Sequence, residues 1–351
     1  MQTGISLQAL AAKIEGQKAL KADYVTKASD LRMEVQDDGA VALTHKEVGS
    51  LPVLPLAHDQ IGAKLGIPAR YYDRMLASSP DLLADNVNHW LDNDGDRRML
   101  RTMGGDLRAF LSDRYQRIEN EEIATAALPA LAEFPGIQVV SCEVTDRRMH
   151  IVATLPTVQG EVKLGDIVQA GIRISNSEVG LGACEVVPLC YRLVCLNGAT
   201  INEARFRRAH VGRRVEEGED MNVRYADDTR AADDKALLLK VRDTVRHALS
   251  EEVFTRYVNK MKGLTEAKLT GDLSKSVELL ARKIGATEDE RGGILRSLAE
   301  GGDLTAWGLL NAVTHQAHTA KSYDRSMDFV DAGGSLIDLP KSEWKTILEA
   351  A

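Results

Sequence analysis

Aromatic residues, cysteines and long apolar runs are scarce in this sequence of 351 residues. Phe, Trp and Tyr together make up 5% of the chain, and cysteine occurs four times. So few cysteines do not form a disulfide framework, and they lack the paired spacing of a zinc site. No apolar run reaches the length of about 18 residues that a membrane span needs, and no signal peptide is recognisable. We therefore expect a cytoplasmic protein with no membrane partner.

The overall proportions of residues are those of a soluble globular protein. Hydrophobic residues account for 44% and charged residues for 27% of the chain. Acids outnumber bases 52 to 44, and the net charge of -8 excludes a uniformly basic nucleic-acid coat but permits a local basic patch. The sequence has no phosphate-binding P-loop, no G-x-S-x-G elbow and no complete dinucleotide fingerprint. No cofactor is predicted, and a protein without enzymatic activity is favoured.

The spacing of hydrophobic residues changes along the chain and predicts an α+β fold. Residues 1–50 combine a helical stretch with two alternating runs, and residues 56–94 have helical spacing in three short segments. Alternating runs typical of strands fill residues 97–201, apart from one helix near 120–133. Residues 235–351 have helical spacing. We predict a central, mostly antiparallel β-rich core with flanking helices and a helical C-terminal region.

Composition also predicts where the chain divides. One segment holds eight acids and little apolar material, which is typical of a solvated linker or loop. The predicted divisions are an N-terminal helix and β-hairpin segment at 1–50, an α+β core with a helical hairpin entry at 51–215, this acidic linker or loop at 216–234, and the helical C-terminal region at 235–351.

The most concentrated positive charge lies in the segment ARFRRAHVGRRV. Arginine clusters bind phosphate through bidentate contacts, and an interleaved aromatic residue can stack on an exposed base. The segment therefore predicts a nucleic-acid contact, with single-stranded DNA as the favoured partner. In the alternative interpretation, these arginines pair with the acids that begin at Glu216. The predicted contact residues are Arg205, Phe206, Arg207, Arg208, His210, Arg213 and Arg214, extended by Arg114 and Arg117.

A second segment, residues 58–76, has the rhythm of a helix-turn-helix. Gly66 lies between two helical stretches, and Pro68 opens the second one. A recognition helix of this kind would present Arg70 and Arg74 to the major groove of a duplex. Buried helical hairpins share the same spacing, so packing is the alternative explanation.

Metal chemistry has two candidate sets of residues. They are an acidic pair with a lysine, Asp146, Glu161 and Lys163, and a histidine pair with a more distant acid, His315, His318 and Asp324. The first set loosely imitates a magnesium-dependent nuclease, and the second uses a helical spacing that metal-binding histidines also use. Short matches of the first kind arise by chance, and polar residues on a helix also orient its packing. No metal site is predicted.

Four blocks of the sequence carry a family resemblance. They are LPLAHDQIGAKLGIPARYYDRMLASSPDLLADNVNHWL, LRTMGGDLRAFLSDRYQRIENEEI, ISNSEVGLGACEVVPLCYRLVCLNGATI with the trailing RRAHVGR, and the weaker LLNAVTHQAH. Together they resemble the domain-of-unknown-function 932 family over residues 51–325. The resemblance implies a phage, prophage or plasmid context, in which DNA replication, recombination and conflict with the host are common tasks. It implies no catalytic residues.

These observations lead to one favoured function and two alternatives. The favoured function is a non-enzymatic DNA-binding protein of a phage or plasmid, an oligomer that binds or anneals single strands in recombination. The order of strands and one helix in residues 97–201 is similar to the β-hairpin-plus-helix core of single-strand annealing proteins. The alternatives are a metal-dependent nuclease and a protein-interaction module that acts on a host factor.

Overall fold

The computed structural model of the chain describes residues 1–203, 205–210 and 227–351. Within these ranges the predicted α+β fold is confirmed: antiparallel strands form three sheets, helices flank them, and the C-terminal region is helical. Among the residues described, no helix is both long and apolar enough to cross a membrane.

Two small sheets of three strands each form in the N-terminal part of the chain. One has the order β1-β5-β6 and the other the order β2-β3-β4. Gly39, at φ +81°, lies in the turn between the second and third strands, where a residue without a β-carbon adopts this conformation at least cost. The strands are β1 (Lys21–Lys27), β2 (Leu31–Val35), β3 (Val41–His45), β4 (Gly49–Pro52), β5 (Arg97–Met103) and β6 (Asp106–Ser112).

The predicted helices of this part of the chain are confirmed. They are α1 (Leu7–Lys18), α2 (Pro55–Lys64), α3 (Ala69–Ser78) and α4 (Pro80–Asn93), with a short 3-10 turn at Ala28–Asp30. Gly66, at φ +70°, lets the chain reverse between α2 and α3. Buried side chains such as Ile61 and Leu83 pack these helices against Leu43 and Phe110 of the small sheets. Helix α1 ends at Lys18, because Lys21 already pairs with β5.

A larger antiparallel sheet occupies the centre of the fold. Its strands are β7 (Gln138–Val144), β8 (Met149–Lys163), β9 (Asp166–Asn176), β10 (Cys184–Arg192), β11 (Asn197–Thr200) and β12 (Phe206–Arg208). Their order is β11-β10-β9-β8-β7, and β12 pairs with the first half of β10 while β11 pairs with its second half. The short strand β12 therefore forms part of one edge of the sheet, beside β11.

Eight further helices are described after β6. They are α5 (Asn120–Ala132), α6 (Asp227–Ala248), α7 (Glu251–Glu266), α8 (Leu273–Lys283), α9 (Glu288–Gly301), α10 (Ala306–His315), α11 (Tyr323–Ile337) and α12 (Lys341–Leu348), with a 3-10 turn at Gln316–His318. Side chains such as Ile172 and Val186 pack one face of the central sheet against α1, α5 and α6. Helix α11 lies against the other face so closely that a β-carbon at Gly334 would be 2.3 Å from the carbonyl oxygen of Thr200.

The structure corrects one predicted boundary and identifies the capping residues of two helices. Of the predicted linker at 216–234, residues 227–234 belong to α6, and the remainder lies outside the described residues. The capping residue of α10 is Thr305, whose hydroxyl accepts from the Gly308 N–H. Helix α5 is capped by Glu119 and Glu122, which bond each other's backbone N–H groups in a capping box.

Candidate functional site

The chain places one buried carboxylate, Glu178, just after β9, where residues of the second and third resembling blocks meet. Its oxygens accept hydrogen bonds from Lys21 Nζ at 2.5 Å, Arg108 Nη1 at 2.8 Å and the Asn120 N–H at 2.8 Å. Arg101 donates to the Glu178 carbonyl oxygen and to two further carboxylates. The residues Lys21, Asp23, Arg101, Arg108, Glu119 and Glu178 are called the Glu178 cluster.

The Glu178 cluster balances its charges in a buried place. Burial alone would raise the pKa of Glu178, but the charges of Lys21 and Arg108 outweigh it and hold that pKa at about 2. Three cations and three carboxylates meet, and Glu178 itself is 3% exposed. The cluster therefore joins the β1-β5-β6 sheet to the start of α5 and the end of β9. This structural role accounts for much of the DRYQRIEN and SNSE strings.

The ring of His210 is buried beside this cluster. It stacks on Tyr115 with ring centroids 5.1 Å apart and planes within 4°. Its Nδ1 lies 3.1 Å from the Gln116 carbonyl oxygen, and burial lowers the pKa of His210 to about 4. The ring is therefore neutral at pH 7 and is not part of the exposed surface. His210 thus lies apart from the exposed arginines with which it was predicted to contact nucleic acid.

A second carboxylate, Glu185 on β10, lies in a polar row that crosses the central sheet. The strand registers pair His150 with Ser175, Ser175 with Glu185, and Glu185 with Arg207. Residues directly opposite each other in antiparallel strands share a face, so all four lie on one face of the sheet. Arg173 joins them, because side chains two residues apart on a strand point to the same side.

Three guanidinium groups converge on Glu185. Arg205 Nη2 lies 2.6 Å and Arg207 Nε lies 3.0 Å from the same oxygen, Oε1. Arg173 Nη2 lies 3.4 Å from Oε2 and 2.7 Å from Asp331 Oδ1 of α11. The residues Arg173, Glu185, Arg205 and Arg207 are called the Glu185 cluster. With Asp331 included, the direct ion pairs of this cluster join three cations to two carboxylates among the described residues, which do not include the acids from Glu216 to Asp220.

Exposure differs sharply among the arginines of the Glu185 cluster. The side chain of Arg207 is 62% exposed and that of Arg205 is 33% exposed, whereas that of Arg173 is 2% exposed. Arg173 Nε is buried and has no hydrogen-bond partner among the described residues. Arg205 and Arg207 can therefore contact an incoming ligand, whereas Arg173 is buried beside them.

Helix α11 supplies acids to the same face of the sheet. Asp324 Oδ1 lies 2.9 Å from His150 Nε2, and its Oδ2 accepts from the Thr145 hydroxyl at 2.8 Å. Burial is the largest influence on both groups: it lowers the pKa of His150, while the hydrogen bonds from His150 and Thr145 outweigh it at Asp324 and lower that pKa as well. His150 is therefore neutral and Asp324 ionised at pH 7. His150 Nδ1 has no partner within the described ranges.

Phe206 does not lie with Arg205 and Arg207. It pairs with Val186, whose side chain points to the opposite face, and it is half-buried against the cluster of α5 and α6. The ring of Phe206 therefore lies on the face of the sheet opposite to Arg205 and Arg207, although all three were predicted to form one contact surface. The reason is the alternation of a strand, which sends neighbouring residues to opposite faces.

The other predicted arginines lie near the end of β12. Arg208 Nη2 contacts Asp233 Oδ2 and Gln116 Oε1, each at 3.1 Å. Gln116 belongs to the loop that carries exposed Arg114 and Arg117, and Arg117 Nη1 lies 3.3 Å from Asp23. The structure thus brings this loop to β12. The last two predicted contacts, Arg213 and Arg214, lie outside the described residues.

Neither candidate metal set assembles in full: the rings of His315 and His318 lie with their centroids 5.3 Å apart, but Asp324 contacts His150 instead. Asp146 precedes β8 and Glu161 lies near its other end, along a strand path of about 40 Å. His315 Nδ1 is close to Ser297, His318 Nε2 to the Cys195 carbonyl oxygen, and Asp324 to His150. Across residues 1–203, 205–210 and 227–351, no group of three His, Cys, Asp or Glu side chains is arranged to hold a metal ion.

The predicted helical hairpin forms from α2 and α3. Tyr72 is buried and bonds His58, with the tyrosine oxygen 2.8 Å from Nδ1, so part of the segment serves packing. Arg70 and Arg74 are exposed. Reading of a duplex by α3 stays a prediction.

The sequence patterns assigned no role to three residues of the polar row, His150, Ser175 and Glu185, or to their neighbours Arg173 and Asp331. They placed Asp324 beside His315 and His318, whereas it contacts His150. The alternation in Ile172-Arg173-Ile174-Ser175 was a usable signal, because it predicts that the two polar residues share one face of a strand. Nothing local indicates that α11 covers that face or that Glu185 lies beside it.

The fold and the Glu185 cluster define an α+β protein with an arginine-rich margin on its central antiparallel sheet. The chain belongs to a family described as a domain of unknown function (DUF932), whose model matches residues 109–332. This match confirms the family that the sequence resembles, although it begins after the first of the resembling blocks. It includes Glu178 and the whole Glu185 cluster, whereas Lys21, Asp23, Arg101 and Arg108 of the Glu178 cluster lie before it. No curated protein and no solved structure matches the chain.

Proposed function

We propose that the chain binds single-stranded DNA through the Glu185 cluster and the neighbouring arginines of β12 and its adjoining loop. The observation that carries the proposal is the convergence of Arg173, Arg205 and Arg207 on one carboxylate. Like charges held this close repel one another, and their direct ion-pair partners in the part of the chain that the structure describes are two carboxylates, Glu185 and Asp331. A backbone phosphate supplies a further negative charge.

The donors of Arg205 and Arg207 suit a phosphate group. Each guanidinium has five N–H donors in a planar fork, and only part of each fork is used by Glu185. Both side chains reach the solvent, so a phosphate can approach without opening the core. Arg208, Arg114 and Arg117 extend the basic surface, although Arg208 and Arg117 must exchange their contacts with Asp233 and Asp23 for phosphate.

Recognition by this surface is independent of base sequence. Phe206 faces away from the arginines, so it offers no stacking platform beside them, and the contacts are made to phosphates alone. Bases stay exposed, which suits a factor that binds or anneals single strands. One copy contributes few phosphate contacts, so several copies bound along a strand would raise the overall affinity. Oligomerisation and a phage or plasmid context are parts of the same proposal.

The salt dependence of binding tests the proposal. The affinity of the full chain for a fluorescent oligothymidine should fall as salt rises, with each phosphate contact adding about 0.7 to the slope of log K against log salt. The Arg205→Ala/Arg207→Ala variant should bind more weakly, with a slope shallower by about 1.4. Its matched control, Arg282→Ala/Arg291→Ala on α8 and α9, removes the same charge and should leave the slope unchanged.

The Glu185→Gln variant tests the same surface in the opposite direction. Removing the carboxylate charge while keeping its shape should tighten single-strand binding about fivefold or more, because a phosphate no longer meets a negative neighbour. Denaturant unfolding of the same variant checks that it is folded. The proposal is wrong if wild type shows no salt-dependent binding, or if both arginine variants bind alike. Cleavage of the strand that requires magnesium would instead support the nuclease alternative.

A further inference from the structure

A groove of about 570 Å³ runs between helices α5 and α6 on the surface of the protein. Its floor is apolar, and Leu239 of α6 is 40% exposed there, although it lies in the middle of a helix of 22 residues. Covering this side chain would remove apolar surface from water, so the groove favours a partner. The apolar residues of the floor are Ala126, Pro129 and Ala130 from α5, and Leu238 and Leu239 from α6.

The two edges of this groove carry opposite charges. The α5 edge is acidic and the α6 edge is basic, so a partner that fits must bring a basic edge to α5 and an acidic edge to α6. At one end Arg246 Nη2 lies 2.5 Å from Glu133 Oε1, an exposed pair that costs little to exchange. The acids are Glu121, Glu122 and Glu133, and the bases are Lys235, Arg242 and Arg246.

Helix α5 also leaves a backbone acceptor open in the groove. Pro129 lies inside α5 on its exposed side, and proline has no N–H to donate. The carbonyl oxygen of Thr125, about one turn earlier, therefore lacks the donor that a regular α-helix gives it. Thr125 lines the same groove. A cation from an approaching helix can bond this oxygen, so the groove offers a polar anchor beside its apolar floor.

Helices α5 and α6 run in the same direction along the groove. Gln116, which precedes α5, has its Nε2 3.5 Å from Oδ2 of Asp233 near the start of α6. At the other end Glu133 follows α5 and pairs with Arg246 in the last turn of α6. Arg208 of β12 also contacts Asp233. The arginine-rich edge of the central sheet therefore adjoins the N-terminal ends of both helices.

A second copy of the same face satisfies the charges of the groove. In a twofold dimer whose axis runs along the helices, the acidic edge of each copy meets the basic edge of the other. Each α6 then lies in the groove of the other copy, and the two Leu239 side chains lie near the axis. With the axis across the helices, acids would face acids and bases would face bases, which repels. Charge therefore selects the parallel arrangement.

We propose that two copies of the chain associate through the α5–α6 groove as this parallel twofold dimer. The inference deepens the proposed function, on which it rests, by identifying the surface through which copies associate. Because β12 adjoins the N-terminal ends of α5 and α6, and the axis runs along these helices, both arginine-rich edges lie at the same end of the dimer. One single strand can therefore contact both copies, which roughly doubles the number of phosphate contacts.

The mass of the full chain in solution tests the association. Sedimentation over a range of concentrations should show a monomer–dimer equilibrium. Leu239→Asp should weaken the dimer about tenfold or more, because it places a charge in the apolar groove of both copies. The matched control is Leu82→Asp on α4, where the leucine is 49% exposed, and it should dimerise as wild type does. A wild type that is monomeric at every concentration, or a Leu239→Asp dimer as tight as the control, would overturn the proposal.

Cross-linking tests the arrangement and does not depend on the folding of Leu239→Asp. Lys235→Cys and Arg246→Cys, each combined with Cys195→Ser, place one thiol near either end of the groove. A bismaleimide that spans about 10 Å, the distance between packed helices, should link each variant to a second copy of itself. Links that form only between the two variants in a mixture would show antiparallel helices. That result, or the absence of any link, would overturn the proposed dimer.

Strand binding separates a failure of this inference from a failure of the proposed function. Leu239→Asp keeps Arg205 and Arg207, so it should still bind oligothymidine, with a salt slope about half that of wild type. Strand binding by a monomeric wild type would refute the dimer and leave the proposed function standing. A parallel dimer that binds no strand would support the groove as the interface and refute the proposed function. A helix of another protein found in the groove, without links between copies, would refute the second copy as its occupant.

Discussion

Two carboxylates a few residues apart, Glu178 and Glu185, each gather cations, two at Glu178 and three at Glu185, yet their surroundings are opposite. Glu178 is 3% exposed, and the cations around it also contact Asp23 and Glu119. Around Glu185, the side chain of Arg207 is 62% exposed, and the direct ion pairs join three cations to two carboxylates among the described residues. The same chemistry therefore has two uses. Balanced and buried charges join parts of the fold, whereas exposed arginines are available to a ligand.

We expect the largest difference between the two clusters when each carboxylate is replaced by its amide and the losses of stability are compared. Glu178→Gln leaves Lys21 and Arg108 without their buried charged partner, and we expect a loss of about 3–5 kcal/mol in the free energy of unfolding. Glu185→Gln should cost about 1 kcal/mol or less, since Arg205 and Arg207 reach water. Denaturant unfolding measures both. Equal losses would show that both clusters are structural.

The stabilisation by Glu178 should also depend on acidity in a defined direction. Its pKa is about 2 in the folded chain, below the ordinary 4.5, so the stabilisation is present above pH 4.5 and is lost as pH falls toward 2. Glu178→Gln should lack this acid-dependent loss. Unfolding curves of the two proteins from pH 5 to 2 would contradict the assignment if they stayed parallel.

His210 should make the folded chain sensitive to milder acid. Burial lowers its pKa to about 4 from the ordinary 6.5, so the unfolded chain binds the proton first and stability falls between pH 6.5 and 4. The expected loss from this residue is roughly 3 kcal/mol. His210→Phe keeps a ring against Tyr115 and removes the titration. The difference in unfolding free energy between variant and wild type should therefore change by that amount across this range, and a constant difference would contradict it.

Phe206 should matter for stability and not for strand binding. Its half-buried ring packs toward α6, so Phe206→Ala should lower the free energy of unfolding by about 2 kcal/mol. A base stacked on the ring would contribute about 1–3 kcal/mol to binding. We expect the affinity for single strands to change less than about twofold. A larger loss of affinity in a folded variant would show that the ring contacts bases after all.

Arg117 should show the smallest effect on stability. Its side chain is 59% exposed and pairs with Asp23 at 3.3 Å, so Arg117→Ala should change the free energy of unfolding by about 0.5 kcal/mol or less. If Arg117 contacts phosphate, the salt slope of strand binding should become shallower by about 0.7. An unchanged slope would restrict the binding surface to β12 itself.

Much of the fold followed from periodicity, whereas little of the site did. The hairpin at Gly39, the three helices of residues 55–93 and the helical C-terminal region were predictable because their signals are local. The grouping of Phe206 with Arg205 and Arg207 failed because neighbours on a strand point to opposite faces. A linear cluster of arginines indicates a basic segment, and it does not indicate which of them share a surface.

By itself, the sequence determined the α+β class, the positions of most helices and strands, the family and the presence of a concentrated arginine segment. Only the tertiary structure decided which charges meet. Strand register places Glu185 between Ser175 and Arg207, and the close approach of α11 at Gly334 brings Asp324 and Asp331 onto the same face. The physical reason is that charge interactions depend on distance and burial, and both are set by contacts between residues far apart in the chain.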